Sequence, residues 1–394
     1  MTKNPTPLGI SWQLNPMLGW GVFGINLTVQ LLKHPDWNPV LLAPPAPQTL
    51  ANPLYHFLFN PLLKQQQQFQ QIMAKNPGKK IACNFPIIYA LGNDFQTVLP
   101  QVDGSRKLGM VFFENTKFTP EVIARAKSYE IILAGSSWNA QVLQNQGLSQ
   151  AVAVPQGIDP TIFHPAPKDN LLNNRFVIFS GGKLEYRKGQ DIIIAAFKQF
   201  QKHHPEALLM VAWHNFWPQF ITGIDRAGYV QGIPKLSKDK RLQIGEWLAS
   251  NGIPKNAVLD LGLVAHETMA KIMREADVAL FTNRAEGGTN LVAMEAMACG
   301  VPTILSANTG HLDLIDDDHC YPLRQQGKVQ PIEQFPGVEG WGESDVEEVV
   351  ETLELVYSNR KLAKEKSDAA AKFMEGWTWE KQVQKLLDVI SNVD

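Results

Sequence analysis

Short apolar runs alternate with stretches of helical periodicity along the whole chain, and this alternation constrains the fold more than any other feature. The runs are rich in Val, Ile and Leu, are bounded by Gly or Pro, and are typical of strands buried on both faces of a sheet. Helices between such strands predict parallel βαβ units. Because 394 residues are enough for two or three domains, we expect two doubly wound α/β domains.

The predicted strands and helices divide into two series and a helical end. The first series has strands at 8–14, 38–44, 79–85, 108–113, 129–135 and 151–155, with helices at 22–32 and 121–127. The second has strands at 175–182, 207–213, 257–262, 277–283 and 302–307, with helices at 189–202, 238–250, 266–275 and 290–299. The run KQQQQFQQ, 64–71, is predicted as an exposed helix or loop.

A Pro- and Asn-rich stretch at 157–174 is the best domain boundary in the sequence. Residues from about 344 onward are helical by pattern, with an interruption near Trp377 and Trp379. We therefore predict a first domain over 1–172, a second over 173–376, and a last helical segment over 377–394.

Composition excludes several classes of function. A net charge of −2 gives no electrostatic basis for binding nucleic acid. The three cysteines are far apart, which argues against a disulfide framework or a zinc site and favours a reducing compartment. No apolar run reaches 18 residues. The cytoplasm is thus the expected location, with peripheral membrane contact left open. The acidic run 316–318 is predicted to be a solvated loop, and no metal site is expected.

The stretch NRAEGGTNLVAMEAMACG, 283–300, is the first candidate site. A glycine turn at Gly287–Gly288 follows a strand, and a helix begins near Thr289 or Asn290, so free backbone N–H groups would face a phosphate or sugar hydroxyls. Glu295 is a lone carboxylate in an apolar helix. Because a buried charge needs a partner, it either accepts hydrogen bonds from ligand hydroxyls or pairs with a buried Arg, Lys or Trp N–H.

The second candidate is SGGKLEYRKG, 180–189, again a strand end followed by glycines and a helix. Glycines let the backbone approach a diphosphate, and Lys183 and Lys188, with Arg187 between them, would neutralise it. The alternative is a solvated, charged start of a helix. The stretch is not a Walker A loop, because GxxxxGK[ST] is absent.

Gly19, Gly21 and Gly24 form a third glycine pattern, G-x-G-x-x-G, after the first strand. No acidic residue ends a second strand about 20 residues later, as a nicotinamide site would require. We therefore expect no such cofactor and predict a glycine loop facing an interdomain cleft. The three glycine turns would line one cleft if the two sheets face each other.

Several long motifs, in order, resemble glycosyltransferase family 4, which comprises retaining enzymes of GT-B fold. They are EGGTNLVAMEAMACGVP, SGGKLEYRKGQDIIIAAF, LAGSSWNAQVLQNQGL, VAVPQGIDPTIFHP, LGLVAHETMAKIMREADVALFTN, SANTGHLDLI and WTWEKQVQKLLDVI. The resemblance covers 130–394 well and 1–130 loosely. It implies a GT-B fold, in which two Rossmann-like domains face each other and the last helix crosses back onto the first domain. It also implies the use of a nucleoside-diphosphate sugar, without a metal or a further cofactor.

The resemblance also implies roles for individual residues. Lys183 and Lys188 would hold the donor diphosphate, and Glu295 would bind the ribose hydroxyls. The remaining donor contacts would come from the glycine turns and the start of the helix: Gly19, Gly21, Gly182, Gly287, Gly288, Thr289, Asn290 and Leu291.

The sequence departs from the family pattern at two places. The family has seven residues between its two glutamates, whereas eight separate Glu286 from Glu295. Either the turn bulges and Glu286 still reaches the sugar, or Gly287 takes its place. Where many members carry a His near the reacting sugar, Phe113 and Glu114 stand here. Glu114 is thus a further candidate for the catalytic set of Lys183, Lys188 and Glu286, with a solvated loop carboxylate as its alternative.

The function implied is a hexosyltransferase that moves a sugar from a UDP or GDP donor to an acceptor hydroxyl with retention. The acceptor would be a sugar, a lipid or another small molecule. Two alternatives stay open: a sugar phosphorylase of the same fold, and a non-catalytic protein that binds nucleotide sugars.

Overall fold

The computed structural model describes residues 5–172 and 174–392. The chain folds into two compact units. One unit runs up to Gly157 and takes in the segment from Thr378 onward, and the other comprises Ile158–Trp377. Each unit is described by itself below.

The first unit alternates strands with helices. Its elements are β1 (Thr6–Ile10), α1 (Gly19–Lys33), β2 (Trp37–Leu41), α2 (Pro47–Ala51), α3 (Pro53–Lys75), β3 (Ile81–Ala82), β4 (Ile87–Leu91), β5 (Val102–Asp103), β6 (Lys107–Val111), α4 (Pro120–Ala126), β7 (Ile131–Ala134), α5 (Ser137–Asn145) and β8 (Ala151–Ala153).

The second unit repeats the scheme and adds a helical end. Its elements are β9 (Phe176–Lys183), α6 (Gln190–His203), β10 (Ala207–His214), α7 (Ile244–Ser250), β11 (Val258–Asp260), α8 (His266–Arg274), β12 (Val278–Phe281), α9 (Leu291–Ala298), β13 (Thr303–Ser306), β14 (Tyr321–Leu323), β15 (Gln326–Gly327), β16 (Glu343–Ser344), α10 (Val346–Ser358) and α11 (Arg360–Met374). The last helix, α12 (Trp379–Ser391), belongs to the first unit. Within the described residues, no helix is long and apolar enough to cross a membrane.

Each unit is built on a six-stranded sheet whose paired strands are all parallel. The orders are β2-β1-β4-β6-β7-β8 and β11-β10-β9-β12-β13-β14. In each sheet the chain first moves to one side and then to the other, so the direction of winding reverses between β1 and β4 and between β9 and β12. Ligands of doubly wound folds bind at the carboxyl ends of the strands at this reversal. The prediction of two doubly wound parallel-sheet α/β folds is confirmed.

Two local predictions were wrong. The strand expected at 79–85 shrinks to the two residues of β3, because Lys79 and Lys80 are exposed there. The central strand β4, which was not predicted, lies just downstream and is buried along its whole length. The Gln-rich run 64–71 was predicted as an exposed helix or loop, and it lies inside α3, a helix of 23 residues, with most of its side chains exposed. The buried residues of α3 form a narrow stripe, Phe59, Leu62 and Gln66.

Helix α12 packs on the first unit through an aromatic contact. Trp379 is buried, and its ring centroid lies 5.4 Å from that of Phe23 on α1, edge to face. Arg106 Nη1 donates a hydrogen bond to the carbonyl of Ile390 at 2.9 Å, which fixes the far end of the helix. Gly157 lies against the backbone of Trp379, where a Cβ would come within 2.6 Å of its Cα.

We expect Gly157→Ala to weaken the docking of α12. The added methyl group has to push against backbone rather than a flexible side chain, and overpacking of this kind costs about 1–3 kcal/mol. Gly376→Ala is the matched control, because a Cβ there meets nothing within 4 Å and should change stability by less than about 0.5 kcal/mol. Urea unfolding measures both variants, and equal stabilities would contradict the packing described here.

Candidate functional site

The candidate site lies in the second unit at the carboxyl ends of β9 and β12, where the winding reverses. After β9, a short 3-10 turn, Tyr186–Lys188, leads through Gly189 into α6. After β12, the segment 282–290 leads into α9. Both predicted glycine motifs of this unit therefore meet at one place.

Direct hydrogen bonds join the two connections. The backbone N–H groups of Arg284 and Ala285 donate to the carbonyl of Arg187 at 2.7 and 3.1 Å. Thr282 Oγ1 donates to the carbonyl of Gly189 at 2.7 Å. Gly189 has φ +66°, and a Cβ on it would lie 2.0 Å from the Thr282 carbonyl oxygen. A glycine is therefore required at this crossing both for its backbone conformation and for space.

A buried ion network anchors the same crossing. Arg284 is fully buried, and its two Nη atoms donate to the two carboxylate oxygens of Asp191 at 2.8 and 2.7 Å. Its Nε donates to Glu343 at 2.8 Å, and Nη1 also donates to the carbonyl of Tyr186 at 2.8 Å. Burial alone would lower the pKa of the guanidinium, but the carboxylates of Asp191 and Glu343 raise it above its ordinary value.

Glu286 lies two residues beyond Arg284 and contacts the predicted phosphate-binding lysine. Its carboxylate accepts hydrogen bonds from Lys188 Nζ and from Asn283 Nδ2, and Arg187 Nη1 lies 3.5 Å away. Burial alone would raise the pKa of Glu286, but Lys188 and Arg187 outweigh this effect and hold the pKa below its ordinary value. The Glu286–Lys188 contact is therefore a buried ion pair.

Asn290 precedes α9 in a left-handed conformation, with φ +62° and ψ +83°, which asparagine tolerates better than most residues. Its side chain makes no capping hydrogen bond to α9. Instead, Nδ2 donates to Nε2 of the buried His311 at 3.0 Å. The N-terminus of α9 consequently has no cap from the side chain expected to supply one.

His311 is held neutral by its surroundings. Its Nε2 accepts from Asn290, so the proton is on Nδ1, which lies 3.1 Å from the carbonyl oxygen of Ser306 and donates to it. Burial lowers the pKa of His311 to about 4, with Lys188 adding to the effect, although the carboxylate of Glu286 opposes it. Protonation would place an N–H donor against the Asn290 amide donor, which agrees with this direction.

Glu295, the lone carboxylate of α9, is paired with a residue that the sequence reasoning did not single out. His266 Nε2, at the start of α8, lies 2.5 Å from Glu295 Oε1. The ring of His266 packs against Phe163 with centroids 5.1 Å apart. Burial alone would lower the pKa of His266, but Glu295 raises it above its ordinary value. The protein partner of Glu295 is thus an imidazole, not the Arg, Lys or Trp N–H that the sequence left open as the alternative to ligand hydroxyls.

Lys183 ends β9, and its Nζ lies 4.7 Å from the ring centroid of Trp217, a cation–π distance. Gly182, just before it, has φ +121°, and a Cβ there would lie 3.9 Å from Lys188 Nζ. The end of β9 therefore lies beside Lys188. Both lysines of the predicted diphosphate pair belong to this end of the sheet.

The turn before α9 packs tightly on the segment after β13. A Cβ on Gly310 would lie 1.8 Å from the carbonyl oxygen of Gly288, so the two backbones touch. Thr289 Oγ1 donates to the sulfur of Met294 at 3.0 Å. Leu291, the first residue of α9, is half-buried, and Gly287 is buried. The predicted donor residues 287–291 are thus placed directly after the Glu286–Lys188 pair.

The remaining candidates, Gly19, Gly21 and Glu114, belong to the first unit. Gly19 and Gly21 lie in the first turn of α1, not in a loop as expected. A Cβ on Gly21 would lie 2.1 Å from the carbonyl oxygen of Asn15, whereas one on Gly19 would meet nothing within 4 Å. Packing of the β1–α1 connection therefore accounts for Gly21. Glu114 follows β6 in the same unit and is half-buried.

Four buried or half-buried residues of the second unit were missed as parts of the site: Asn283, Arg284, His266 and His311. Three of them follow strand ends that were predicted, so position alone carried a signal. Arg284 comes directly after the run that forms β12, and His311 follows the run that forms β13. The partners of Arg284 and His266, which are Asp191 and Glu295, are distant in sequence, and this hid the importance of both residues.

Comparison with known proteins agrees with this geometry. A family model described as "Glycosyl transferases group 1" matches residues 165–332, which includes both glycine connections. Mannosylfructose-phosphate synthase from Agrobacterium fabrum is 27% identical over 196 residues, covering 47% of this chain and 39% of that protein. A GDP-mannose-dependent monoacylated alpha-(1-6)-phosphatidylinositol monomannoside mannosyltransferase from Corynebacterium glutamicum is 26% identical, covering 61% of this chain and 55% of that protein. The chain thus spans about half the length of these curated relatives.

Solved structures match over nearly the whole chain. Sucrose-phosphate synthase from Thermosynechococcus elongatus superposes with a TM-score of 0.66 at 16% identity, covering 98% of this chain and 99% of that one. Anabaena HepE in complex with UDP gives a TM-score of 0.64 at 14% identity, with the same coverage. These likenesses confirm the predicted GT-B fold.

We predict that His311 makes the protein less stable in mild acid. Its folded pKa is about 4, below the ordinary 6.5, so the unfolded chain takes up a proton there that the folded protein does not. Stability is therefore unaffected above pH 6.5 and falls as the pH drops from 6.5 towards 4, by up to about 1.4 kcal/mol per pH unit.

Urea unfolding at pH 7 and pH 5 measures this effect in the wild type and in His311→Gln. The wild type should lose more stability than the variant, by about 2 kcal/mol. His56→Gln, at an exposed position on α3, should leave the wild-type difference unchanged. An equal loss in the wild type and His311→Gln would contradict the prediction.

Proposed function

We propose that this protein is a retaining, metal-independent hexosyltransferase that transfers a sugar from a nucleoside diphosphate to an acceptor hydroxyl. The observation that carries the proposal is the meeting of both glycine connections at the reversal point of the second sheet, where Lys188, Glu286 and the start of α9 come together. The match to glycosyl transferases group 1, and the relatives named as glycosyltransferases, support the expectation that the chain is a hexosyltransferase enzyme.

Lys183, Lys188 and the N-terminus of α9 would bind the donor diphosphate. An ammonium group has three N–H donors, so Lys188 can bind Glu286 and still donate to a phosphate oxygen. Backbone N–H groups at the start of α9, from Gly288 to Asn290, would add the positive end of the helix dipole. Glu286 and Lys188 neutralise each other before the donor arrives, so no bare charge is left buried.

Glu295 would bind the ribose of the donor. Its Oε1 is engaged by His266, whereas a carboxylate can accept about four hydrogen bonds. Oε2 is therefore the oxygen that we assign to the ribose hydroxyls. The buried apolar residues on either side of Glu295, Met294 and Ala296, exclude water from the carboxylate and strengthen such hydrogen bonds.

In the proposed reaction the bond between sugar C1 and the diphosphate oxygen breaks, and a bond from C1 to the acceptor oxygen forms on the same face. The acceptor proton passes to the leaving diphosphate. Lys183, Lys188 and the helix dipole of α9 would stabilise the charge that develops on this leaving group, which is the task that a metal ion performs in other transferases. Glu114 lies where many members of the family that the sequence resembles carry a His, and we propose that it positions the acceptor or the donor.

For the donor we propose a UDP or GDP sugar, since the names of related proteins include GDP-mannose and the complexes of HepE contain UDP or UDP-glucose. For the acceptor we propose a sugar, a lipid or another small molecule, since those names include a sugar phosphate and a phosphatidylinositol mannoside. We propose a cytoplasmic location, which agrees with three free cysteines.

Titration calorimetry with UDP and GDP tests the diphosphate site. We expect Lys188→Ala to weaken binding about 10- to 100-fold, because a hydrogen bond to a charged group contributes about 1.5–3 kcal/mol. The double variant Lys188→Met/Glu286→Gln removes the buried charge that the single change leaves unpaired, and should bind equally weakly. Lys202→Ala, at an exposed position near the end of α6, is the control and should bind like the wild type. Unchanged affinity in both Lys188 variants would contradict the assignment.

Product analysis tests the reaction class. Incubation of the wild type with α-linked UDP and GDP sugars and an acceptor panel should give an α-linked product by NMR, together with free nucleoside diphosphate. A β-linked product would overturn retention. Sugar 1-phosphate formed from a disaccharide and free phosphate, without nucleotide, would indicate the phosphorylase alternative, and nucleotide binding without turnover would indicate a binding protein.

A further inference from the structure

Glu295 is a nearly fully buried carboxylate with a single type of partner. Its side chain is 4% exposed, whereas that of His266 is 22% exposed. Among the described residues, the hydrogen bond to this carboxylate comes from His266 Nε2, at 2.5 Å. The neighbouring side chains on α9, such as Met294 and Met297, are apolar and fully buried. Nothing on α9 itself can compensate the charge of Glu295.

We propose that His266 is a positioning residue for ribose recognition: its hydrogen bond to Oε1 orients the carboxylate of Glu295, so that the remaining oxygen accepts the ribose hydroxyls. The inference rests on the proposed function, because it concerns the same donor site. The inference gives a role in specificity to His266, a residue for which the proposed function includes no contact with the donor.

The position of His266 is fixed from two sides. It is the first residue of α8, so its backbone is set by a helix of nine residues. Its ring is hydrogen-bonded to the Glu295 carboxylate and also packs against the ring of Phe163, with the ring centroids 5.1 Å apart. Because these two contacts fix the imidazole ring of His266, its hydrogen bond also fixes the carboxylate of Glu295. The orientation of Oε2 therefore depends on His266.

The electrostatics of the pair agree with this role. Burial lowers the pKa of His266, yet the charge and hydrogen bond of Glu295 raise it, and Glu267 and Asp159 act in the same direction. The imidazolium form compensates the buried carboxylate. Without that partner, the charge of Glu295 would be buried without compensation, which costs several kcal/mol.

A purely structural role, in which the pair only ties α8 to α9, makes a different prediction. Loss of His266 would then lower stability or weaken the binding of every nucleotide alike. The second unit contains a matched pair for comparison: His204 Nε2 lies 2.9 Å from Glu354 Oε2 and joins the end of α6 to α10. His204→Ala removes the same type of contact at a position outside the candidate site.

The test compares ribose with dideoxyribose nucleotides. Dissociation constants of GDP and UDP and of their 2′,3′-dideoxy analogues are measured by calorimetry for the wild type, His266→Ala, His266→Gln and His204→Ala. We expect His266→Ala to weaken the ribonucleotides about 10-fold and to leave the dideoxy analogues unchanged. His266→Gln, which keeps an N–H donor, should recover part of the loss, and His204→Ala should match the wild type.

A double-variant cycle tests whether His266 acts through Glu295, and three further outcomes would overturn parts of the proposal. In a Glu295→Ala background, His266→Ala should have no further effect on ribonucleotide binding. If His266→Ala weakens ribo and dideoxy nucleotides equally, the positioning role is overturned. If the wild type binds both forms equally well, ribose recognition by Glu295 is overturned while the diphosphate assignment stands. If the wild type binds no nucleoside diphosphate, the proposed function fails as well.

Discussion

The buried guanidinium of Arg284 is the constraint on which the candidate site depends. Burying a charge away from water costs several kcal/mol of folding free energy unless opposite charges and hydrogen bonds compensate it. Asp191 and Glu343 together supply that compensation here. These partners come from the first turn of α6 and from β16, so three distant segments must meet at one point. The connection after β12 cannot shift without separating the charges. Glu286, two residues on, is thereby fixed against Lys188.

Around this anchor, charge and hydrogen bonding fix the residues that we propose to bind the donor diphosphate. Lys188 keeps Glu286 ionised by holding its pKa below the ordinary value, and His311 stays neutral so that it can accept from Asn290. The side chain of Asn290 is thereby directed away from the cap of α9. A preorganised site of this kind needs little rearrangement when a charged group binds. The same connections hold Glu295 in an apolar helix, with His266 as the partner of its charge.

The sequence predicted much of the fold and the positions of the lysines and glutamates, because strand ends, glycine turns and helix starts are local signals. It did not predict β4, since the flanking strand pattern at 79–85 competed with it, or that Gly21 is required by the backbone of Asn15. The pairing of Arg284 with Asp191 joins residues 93 positions apart. Such contacts depend on the order of parallel strands, which no local pattern encodes. The same holds for His266 and Glu295.

A crystal structure of the protein with GDP or UDP bound tests the donor site most directly. We expect the diphosphate to lie within hydrogen-bond distance of Lys188 Nζ and the backbone N–H groups that begin α9. The ribose hydroxyls should lie on Oε2 of Glu295, with His266 still on Oε1. A nucleotide bound away from the ends of β9 and β12, or a ribose without contact to Glu295, would contradict the donor site proposed here.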